Sequence, residues 1–541
     1  MNRLLGAMTE NDTYTANGAV TNSTSHNACL DLFFLAGACR NESEQNIINK
    51  LICAYEEDRV KCLKIIFWAG DIRQGAGERR FFKLALKWLN EFHQEDLVKY
   101  LSYVPEFSRW DVLFDLVDND KVLDYICENI KTDGLLCKWL PRKSRVKGKH
   151  KCIIKNLNLK GEVAFRTDVP VRHNYNKFDC LHIKKDNFYV MYDGEDWVDV
   201  NSDNSMFFYY KKDKTFRDLF DGLAGKIQKK LGLSARKYRK LLVENTKVVE
   251  QKMCAKDWQN INYEHVPSVA MNKYNKAWYR NDRERFTAYL ESVKSGKKKI
   301  NASAIFPHDI IKNALYGNAF YYGDYGKLNE AQITQWNNLP NWLEGKANSI
   351  IPVCDVSGSM NGLPICISVA LGLYISERNE GDFRDAFITF SERPQLQYLK
   401  GDINERIHQL IKSEWGMNTD FEAVFDLILD KAIYNRLSQD DMPKTILAIS
   451  DMEFDCATSY TGTNFNTIKA KFERYGYKLP QIVFWNVNGR VGNLPVTMRD
   501  ENVALISGAS PSIIRAVLTD NINPIKIMDN TIETERYNFI Q

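Results

Sequence analysis

The chain has 541 residues, of which 44% are hydrophobic and 26% charged, with 73 Lys and Arg against 69 Asp and Glu. This composition is ordinary for globular protein, so a disordered chain is excluded. A single core is excluded too, because single cores stop growing at about 250–300 residues.

Cysteine usage and the first residues indicate the compartment. The twelve cysteines include no C-x-x-C pair, and the N-terminus lacks the apolar core and cleavage signal of a secretory leader. We therefore expect reduced thiols in a cytoplasmic protein, without zinc. The longest charge-free apolar stretch, 360–376, contains Pro364 and predicts a buried helix instead of a membrane span. We expect a monomer with no membrane contact.

Helical spacing of apolar residues dominates the first part of the chain. Between residues 24 and 130 the pattern includes Leu63, Ile66 and Phe67, and it returns between 216 and 343 with Leu219, Leu223 and Ile227. Short breaks separate the helices and no crisp repeat is visible, which predicts an irregular HEAT-like repeat body. We assign its two parts to residues 1–150 and 213–345.

The segment between them has a different pattern. From 152 to 210, Phe188, Val190 and Tyr192 alternate with polar or turn residues, and 193–196 is typical of a turn. Alternation of this kind predicts a small β-rich insertion, with limits at 151 and 212.

Strands and helices alternate after Gly345. The predicted strands are Ile350–Cys354, 384–390, Thr445–Ser450, Gln481–Asn486 and Val503–Ser507. The predicted helices lie near 365–376, 403–411, 421–432, 466–475 and 512–518. Apolar strands separated by helices predict a doubly wound α/β domain, 346–541, with a parallel sheet covered on both faces.

Oxygen-bearing side chains follow two of these strands. Asp355, Ser357 and Ser359 come directly after Ile350–Cys354, and Asp451 follows Thr445–Ser450. Because the carboxyl ends of parallel strands meet at one edge of the sheet, these side chains are expected to approach one another. Thr419 precedes a helical pattern and adds a hydroxyl. Such oxygens suit Mg²⁺, or another divalent cation such as Mn²⁺ or Ca²⁺.

A simpler explanation stays open for the first motif. Asp and Ser favour turns and helix starts, so Asp355 or Ser357 could cap the following helix. The complete set resembles the metal-ion-dependent adhesion site of a von Willebrand factor A domain. The five positions of that family's motif are filled here by Asp355, Ser357, Ser359, Thr419 and Asp451.

The part of the chain before the α/β domain, residues 1–345, is basic. Residues 346–541 carry 19 Lys and Arg against 25 Asp and Glu, which leaves a balance of +10 to residues 1–345; residues 221–320 carry 20 against 9. A basic body predicts a polyanion partner. The candidate RNA contacts are Arg73, Arg79, Arg80, Lys138, Arg142, Lys143, Arg145, Lys229, Lys230, Arg236, Lys237, Arg239, Lys297 and Lys298.

Aromatic residues near these clusters offer stacking surfaces for RNA bases. The candidates are Trp139, Tyr238, Trp258, Tyr274 and Trp278. The alternative is that these aromatics are core residues and that the lysine runs are solvated helix faces. Residues 73–80 lack the G-K-[ST] ending of a phosphate loop, so we expect a turn between helices there.

The order of parts resembles the Ro ribonucleoprotein autoantigen family, a TROVE module followed by an A-type domain, and more closely an uncharacterised Ro-like family. The segments that carry the resemblance are 71–80, 138–142, 263–271 and 305–309. The resemblance implies a ring of helical repeats joined by the A-type domain, with structured or single-stranded RNA on its basic surface. The insertion departs from the Ro pattern.

The predicted function follows from these features. Scattered histidines and the absence of a hydrolase motif predict a protein that is not an enzyme. We expect an RNA-binding scaffold whose metal site recruits a protein partner through an acidic side chain. The alternative is an adhesion or assembly module that uses the metal site and has no RNA role.

Overall fold

The computed structural model describes residues 12–142, 162–166, 189–192, 196–199, 207–211, 216–315, 326–345, 349–390, 393–413, 419–455, 463–519 and 522–541. The chain divides into two compact units. One contains Met1–Val112 and Lys256–Gln541, and the other contains Leu113–Ala255. The domain limits predicted at residues 150, 212 and 345 do not coincide with the limits of these two units, and they remain predictions.

The first unit begins with a short antiparallel hairpin and continues as helices. The hairpin strands are β1 (Asp12–Tyr14) and β2 (Val20–Asn22). The helices are α1 (Ala28–Ala36), α2 (Glu44–Glu57), α3 (Arg59–Gly70), α4 (Arg79–Phe92), α5 (Gln94–Tyr100) and α6 (Val104–Phe107).

Helix α4 illustrates why these segments are helical. Phe81, Phe82, Ala85 and Trp88 are buried on it at the spacing of one helix face. Burial of each large apolar side chain contributes about 1.5–3 kcal/mol. Glu78 caps the helix by accepting a hydrogen bond from the amide of Arg80.

The second unit combines helices with strand pairs. Its helices are α7 (Asp120–Asn129), α8 (Gly134–Trp139), α9 (Phe216–Lys230), α10 (Ala235–Asn245) and α11 (Val249–Cys254). The strands β3 (Glu162–Arg166), β4 (Tyr189–Tyr192), β5 (Asp196–Asp199) and β6 (Phe207–Lys211) lie in the predicted insertion. β3 pairs with β6 and β4 with β5, all antiparallel.

The first unit resumes with a second group of helices, α12 (Ser268–Asn281), α13 (Arg283–Lys294), α14 (Pro307–Leu315) and α15 (Glu330–Asn337). Trp278 of α12 is fully buried against Tyr263 and Phe286. The body is thus rich in helices, as the spacing predicted, whereas its HEAT-like character and ring shape remain predictions.

A six-stranded sheet follows in the same unit. Its strands are β7 (Ile350–Cys354), β8 (Ala386–Thr389), β9 (Leu396–Tyr398), β10 (Thr445–Ser450), β11 (Gln481–Asn486) and β12 (Val503–Ser507). The order is β12-β11-β10-β7-β8-β9, and only β9 runs antiparallel to its neighbour. The sheet is therefore mixed; the expectation of a purely parallel sheet missed this three-residue edge strand.

The helices of this region alternate with its strands. They are α16 (Leu363–Arg378), α17 (Ile403–Lys412), α18 (Phe421–Asn435), α19 (Asn464–Arg474), α20 (Ile514–Val517) and α21 (Pro524–Ile532). Every residue of α16 from Pro364 to Ser376 is buried, which explains the charge-free stretch. Among the residues that the structure describes, no helix is long and apolar enough to cross a membrane.

The end of helix α1, from Phe33 to its C-cap Gly37, packs directly on the edge strand β12. The amide of Gly37 donates to Ser507 Oγ at 3.0 Å, and Ser507 Oγ donates to the carbonyl of Phe33 at 2.9 Å. A Cβ atom at residue 37 would lie 2.7 Å from the Ser507 backbone, so glycine permits this close approach. The end of α1 therefore lies against the β12 edge of the C-terminal sheet.

Candidate functional site: the carboxyl edge of the sheet

Strand register brings the two aspartates of the motif to one edge. β7 and β10 are adjacent and parallel, with Cys354 opposite Ile449. Asp355 therefore follows β7 opposite Ser450, the last residue of β10, and Asp451 leaves the sheet beside it. The amide of Asp355 donates to the carbonyl of Ile449 at 3.1 Å, which extends the pairing by one residue.

Asp355 is fully buried, with hydrogen bonds to both carboxylate oxygens. Oδ1 accepts from the amide of Ser357 at 2.8 Å, and Oδ2 accepts from Ser450 Oγ at 2.6 Å. Ser357 occupies the N-cap position of the short 3-10 turn Gly358–Met360 and Gly362 that of α16, and neither element has a side-chain cap hydrogen bond. Asp355 and Ser357 therefore organise the loop itself.

Two serine hydroxyls lie between Asp355 and Asp451. Ser357 Oγ and Ser359 Oγ are 3.0 Å apart, and the Ser359 hydroxyl is near enough to the Asp451 carboxyl to offset part of the rise that burial causes in its pKa. Asp451 Oδ1 also accepts from the amide of Glu453 at 3.2 Å. In the described part of the structure, Asp451 Oδ2 is buried without a hydrogen-bond partner. A buried carboxylate oxygen with no partner is costly unless a cation or water satisfies it.

The electrostatics of this cluster also fit a cation. Burial, and then the nearby charge of Asp451, raise the pKa of Asp355 to about 7. Burial also raises the pKa of Asp451. Two buried carboxylates in mutual repulsion are stabilised by a positive ion. The described residues bring together no group of three His, Cys, Asp or Glu side chains, so hydroxyls would have to complete the ligand set.

Thr419, the fifth residue of the motif, has its own set of contacts. Its hydroxyl lies 2.7 Å from the carbonyl of Glu453 and 3.1 Å from Asp455 Oδ1. Its amide donates to Asp455 Oδ2 at 2.9 Å. The observed contacts thus link Asp355 to Ser357 and Ser357 to Ser359, with Asp451 leaving the neighbouring strand, and they link Thr419 to the segment that follows Asp451.

The tip of the N-terminal hairpin lies on the same segment. Asn17 Nδ2 donates to Thr419 Oγ1 at 3.0 Å and to the Glu453 carbonyl at 2.7 Å. The amide of Ala16 donates to Glu453 Oε2 at 2.5 Å. Sequence reasoning missed these contacts, since three-residue strands give almost no periodic signal and the partners lie over 400 residues away.

Several predicted RNA contacts in the first unit already have protein partners. Arg79 forms an ion pair with Asp111 at 3.0 Å, and Lys298 lies 3.5 Å from Glu264. Arg80 donates to the carbonyl of Cys39 at 2.8 Å, and Arg73 donates to that of Glu106. Lys297 is exposed. The basic residues of this unit are thus less available than their number suggests.

In the second unit, some of the predicted RNA contacts have protein partners and others face solvent. Lys138 pairs with Glu250 at 2.5 Å, Lys230 pairs with Asp124, and Arg142 donates to Thr246 Oγ1 at 3.2 Å. In contrast, three predicted contacts around the turn between α9 and α10 extend into solvent, since Lys229, Arg236 and Lys237 are exposed. Arg239 is half-buried and has a partner of its own. Lys143 and Arg145 lie outside the described residues.

Two of the predicted stacking aromatics are core residues. Tyr238 and Trp278 are fully buried, so the prediction that they stack on RNA is wrong. Both lie on amphipathic helices, where an aromatic at the spacing of the apolar face is packed inward. Trp139 is 39% exposed and carries Lys138 Nζ at 5.4 Å from its ring centroid. Trp258 and Tyr274 are half-buried.

Comparison with known proteins gives two family matches. Residues 349–537 match a family described as "Domain of unknown function (DUF7788)", and residues 15–113 and 228–347 match "Domain of unknown function (DUF2828)". The second match begins within the hairpin and omits 114–227. Each family therefore accounts for less than half of the chain.

Full-length similarity is also found. The chain is 26% identical over 558 residues to "Uncharacterized protein L728" of Acanthamoeba polyphaga mimivirus, covering 97% of this chain and 87% of that protein. A solved structure, the crystal structure of Deinococcus radiodurans RO (RSR) protein, aligns over 90% of this chain and 91% of its own, with 14% identity and a TM-score of 0.30. At that TM-score the alignment does not establish a shared fold. The comparisons therefore show similarity to a mimivirus protein over nearly the whole chain, and similarity of 349–537 and of 15–113 with 228–347 to two domain families whose descriptions give no function.

Proposed function

We propose that this protein is a non-catalytic RNA-binding scaffold that holds a divalent cation at the carboxyl edge of its sheet, where Asp355, Ser357, Ser359 and Asp451 lie. We call this site the Asp355 edge, and we propose that its cation recruits an acidic side chain of a protein partner. The observation that carries the RNA part is the group of exposed cations around the turn between α9 and α10. The neighbouring Lys226 and Lys230 pair with Asp118 and Asp124. Lys229, Arg236 and Lys237 form no ion pair among the described residues.

Exposed cations on either side of one turn between two helices suit a phosphate backbone. Each neutralised phosphate releases condensed counterions, so a few convergent cations give salt-sensitive binding without contacts to bases. The excess of 20 basic over 9 acidic residues in 221–320 supports the same conclusion. We refer to Lys229, Arg236 and Lys237 as the basic turn.

The cation part is supported by the buried carboxylate pair. Asp355, Ser357, Ser359 and Asp451 would hold the ion, which would supply a positive charge and an open position for a carboxylate. Ser359 and Gly358 are exposed, so this part of the loop faces solvent. Mg²⁺ is the ion that hydroxyl and carboxylate oxygens suit best, with Mn²⁺ or Ca²⁺ as substitutes.

The nearby acids favour a binding role over catalysis. Glu453 is buried and accepts from the amide of Ala16, Asp455 binds the amide of Thr419, and Asp420 caps α18 through the amide of Ala423. Each of these carboxylates therefore has a structural partner. A general base needs access to the proton it removes.

The RNA proposal is tested by salt-dependent binding of a single-stranded RNA, measured by fluorescence anisotropy. Neutralising the basic turn with three alanine substitutions should weaken binding and reduce the slope of log affinity against log salt by about 2, at about 0.7 per lost phosphate contact. The control removes three exposed cations from the C-terminal region: Lys400, Lys412 and Lys431. Equal loss in both variants, or no binding by the native protein, would favour the adhesion module without RNA.

The cation proposal is tested by thermal unfolding in EDTA and in Mg²⁺ or Mn²⁺. A ligand at 100 times its Kd stabilises the folded state by about 2.7 kcal/mol, so the native Tm should rise with the ion. Asp355→Asn should abolish the rise and release any partner that is retained only in Mg²⁺. Asp430→Asn, an exposed acid on α18, should leave both unchanged. A native Tm indifferent to these ions contradicts the proposal.

A further inference from the structure

The N-terminal hairpin is fastened to the carboxyl edge of the sheet at several points. Thr15 Oγ1 donates to the carbonyl of Phe454 at 2.7 Å, and Gly18 forms a β-bridge with Asp455. At the other end, Asn22 exchanges two backbone hydrogen bonds of 3.0 Å with Leu494. The tip of the hairpin is therefore fixed beside the proposed cation site.

Thr21 strengthens this attachment from inside the hairpin. Its side chain is 3% exposed, and its hydroxyl lies 2.9 Å from the carbonyl of Leu494 and 3.1 Å from Asn493 Oδ1. Asn493 in turn donates to the carbonyl of Met452, next to Asp451. The hairpin and the loop that carries Asp451 are thus joined through buried polar contacts.

Asn17 is the hairpin side chain that contacts the motif itself. Its amide group donates to Thr419 Oγ1 and to the carbonyl of Glu453. A hydroxyl has one proton and two lone pairs. If the Thr419 proton goes to the Glu453 carbonyl, 2.7 Å away, the Asn17 amide occupies one of the two lone pairs. The same oxygen is the one that the motif assigns to a cation.

We propose that Asn17 is a positioning residue that sets how strongly the Asp355 edge binds a divalent cation, by competing for the Thr419 hydroxyl. This inference rests on the proposed cation site. Thr419 is held on the segment 453–455 by its own hydrogen bonds to the Glu453 carbonyl and to Asp455, and the Asn17 amide adds one contact to its hydroxyl. Loss of the Asn17 amide leaves both lone pairs of that hydroxyl open to the ion instead of one.

The direction of the effect follows from the hydrogen bond that must be given up. A typical intramolecular hydrogen bond contributes about 0.5–1.5 kcal/mol net. Because about 1.4 kcal/mol corresponds to a tenfold change in affinity, removing the Asn17 amide should tighten cation binding about 2- to 10-fold. A role limited to supporting the fold predicts the opposite, since a loosened site binds an ion more weakly.

The experiment measures Mn²⁺ binding to the full chain by electron paramagnetic resonance of the free ion. Asn17→Ala should lower the Kd for Mn²⁺ by about 2- to 10-fold and, in EDTA, should lower the Tm. Thr21→Val, which weakens the attachment without touching Thr419, should shift both quantities in the same directions. Tyr14→Ala is the matched control, because Tyr14 is in the same hairpin with a side chain 69% exposed.

The outcomes separate this inference from the proposed function. Suppose that the native protein binds Mn²⁺ and Asp355→Asn does not, but Asn17→Ala binds the ion no more tightly than the native protein. This result overturns only the role of Asn17. Native binding that is absent, or that persists in Asp355→Asn, overturns the cation site and this inference with it. Tightening in Tyr14→Ala equal to that in Asn17→Ala also overturns the inference, because the effect would then not depend on Thr419.

Discussion

Replacing Arg536 by methionine tests the ion pair that fastens the C-terminal segment to the first helices. Asp71 follows α3 and is fully buried. Arg536, whose side chain is 15% exposed, binds it through two nitrogens, and the Nη2–Oδ1 distance is 2.9 Å. The guanidinium lies 4.4 Å from the ring centroid of Phe107. Arg536→Met keeps much of the packing and removes the charge.

The expected cost can be worked out from the partners that Asp71 retains. Removing one member of a buried ion pair costs about 3–5 kcal/mol, because the remaining charge is left uncompensated. Asp71 keeps the hydroxyl of Tyr537 at 3.2 Å and the amide of Arg73 at 2.9 Å. We therefore expect about 3 kcal/mol, the lower end of that range.

The assay is equilibrium unfolding in urea, followed by far-UV circular dichroism and tryptophan fluorescence. Asp71→Asn combined with Arg536→Met should be less destabilising than the sum of the single changes, by about 0.5–3 kcal/mol, because the buried charge is gone. Arg499→Met, at an exposed arginine, should be neutral. A loss below about 1 kcal/mol for Arg536→Met would refute the reasoning, since that is the size of a surface ion pair.

Two further predictions concern a buried histidine and two glycines. Burial lowers the pKa of His308 from 6.5 to about 4, so the unfolded chain binds more protons between these values. The contribution of His308 to stability should fall by about 3 kcal/mol as the pH drops from 6.5 towards 4. Because the raised pKa of Asp355 acts in the opposite direction over this range, the measured quantity is the free energy of urea unfolding of the native protein minus that of His308→Gln, and this difference should fall by the same amount. Gly75→Ala would place a Cβ 1.9 Å from the Trp68 carbonyl and should lower Tm through a loss of about 1–3 kcal/mol. Gly225→Ala, in the interior of α9 with nothing within 4 Å, should raise Tm through a gain of about 0.5–1 kcal/mol; the same sign for both glycines would contradict the steric argument.

Much of the C-terminal sheet could be read from local sequence. The strands β7, β10, β11 and β12 have the predicted bounds, because short apolar runs between helical patterns identify buried parallel strands. The strand predicted at 384–390 is observed as β8, Ala386–Thr389. The sequence pattern did not predict the edge strand β9, since a largely exposed strand of three residues carries little hydrophobic signal.

Charge was predictable in amount but not in availability. The basic excess of residues 1–345 is a property of composition. Whether a given cation is free depends on the partner that folding places beside it: Lys230 faces Asp124, whereas Lys229 extends into solvent. Periodicity likewise does not show which helix face packs on a neighbour, so the sequence leaves open whether Tyr238 stacks on RNA or lies in the core, and the structure places it in the core.

Local sequence was enough to locate β7, β10, β11 and β12 and to predict that Asp355 and Asp451 leave the sheet at the same edge, because both follow from short-range patterns and from the geometry of parallel strands. The contact of Asn17 with Thr419 and the pairing of Arg536 with Asp71 emerge only in the folded chain. These pairs are separated by 402 and 465 residues. No local periodicity records such contacts, since they form only when distant surfaces of the folded chain pack together.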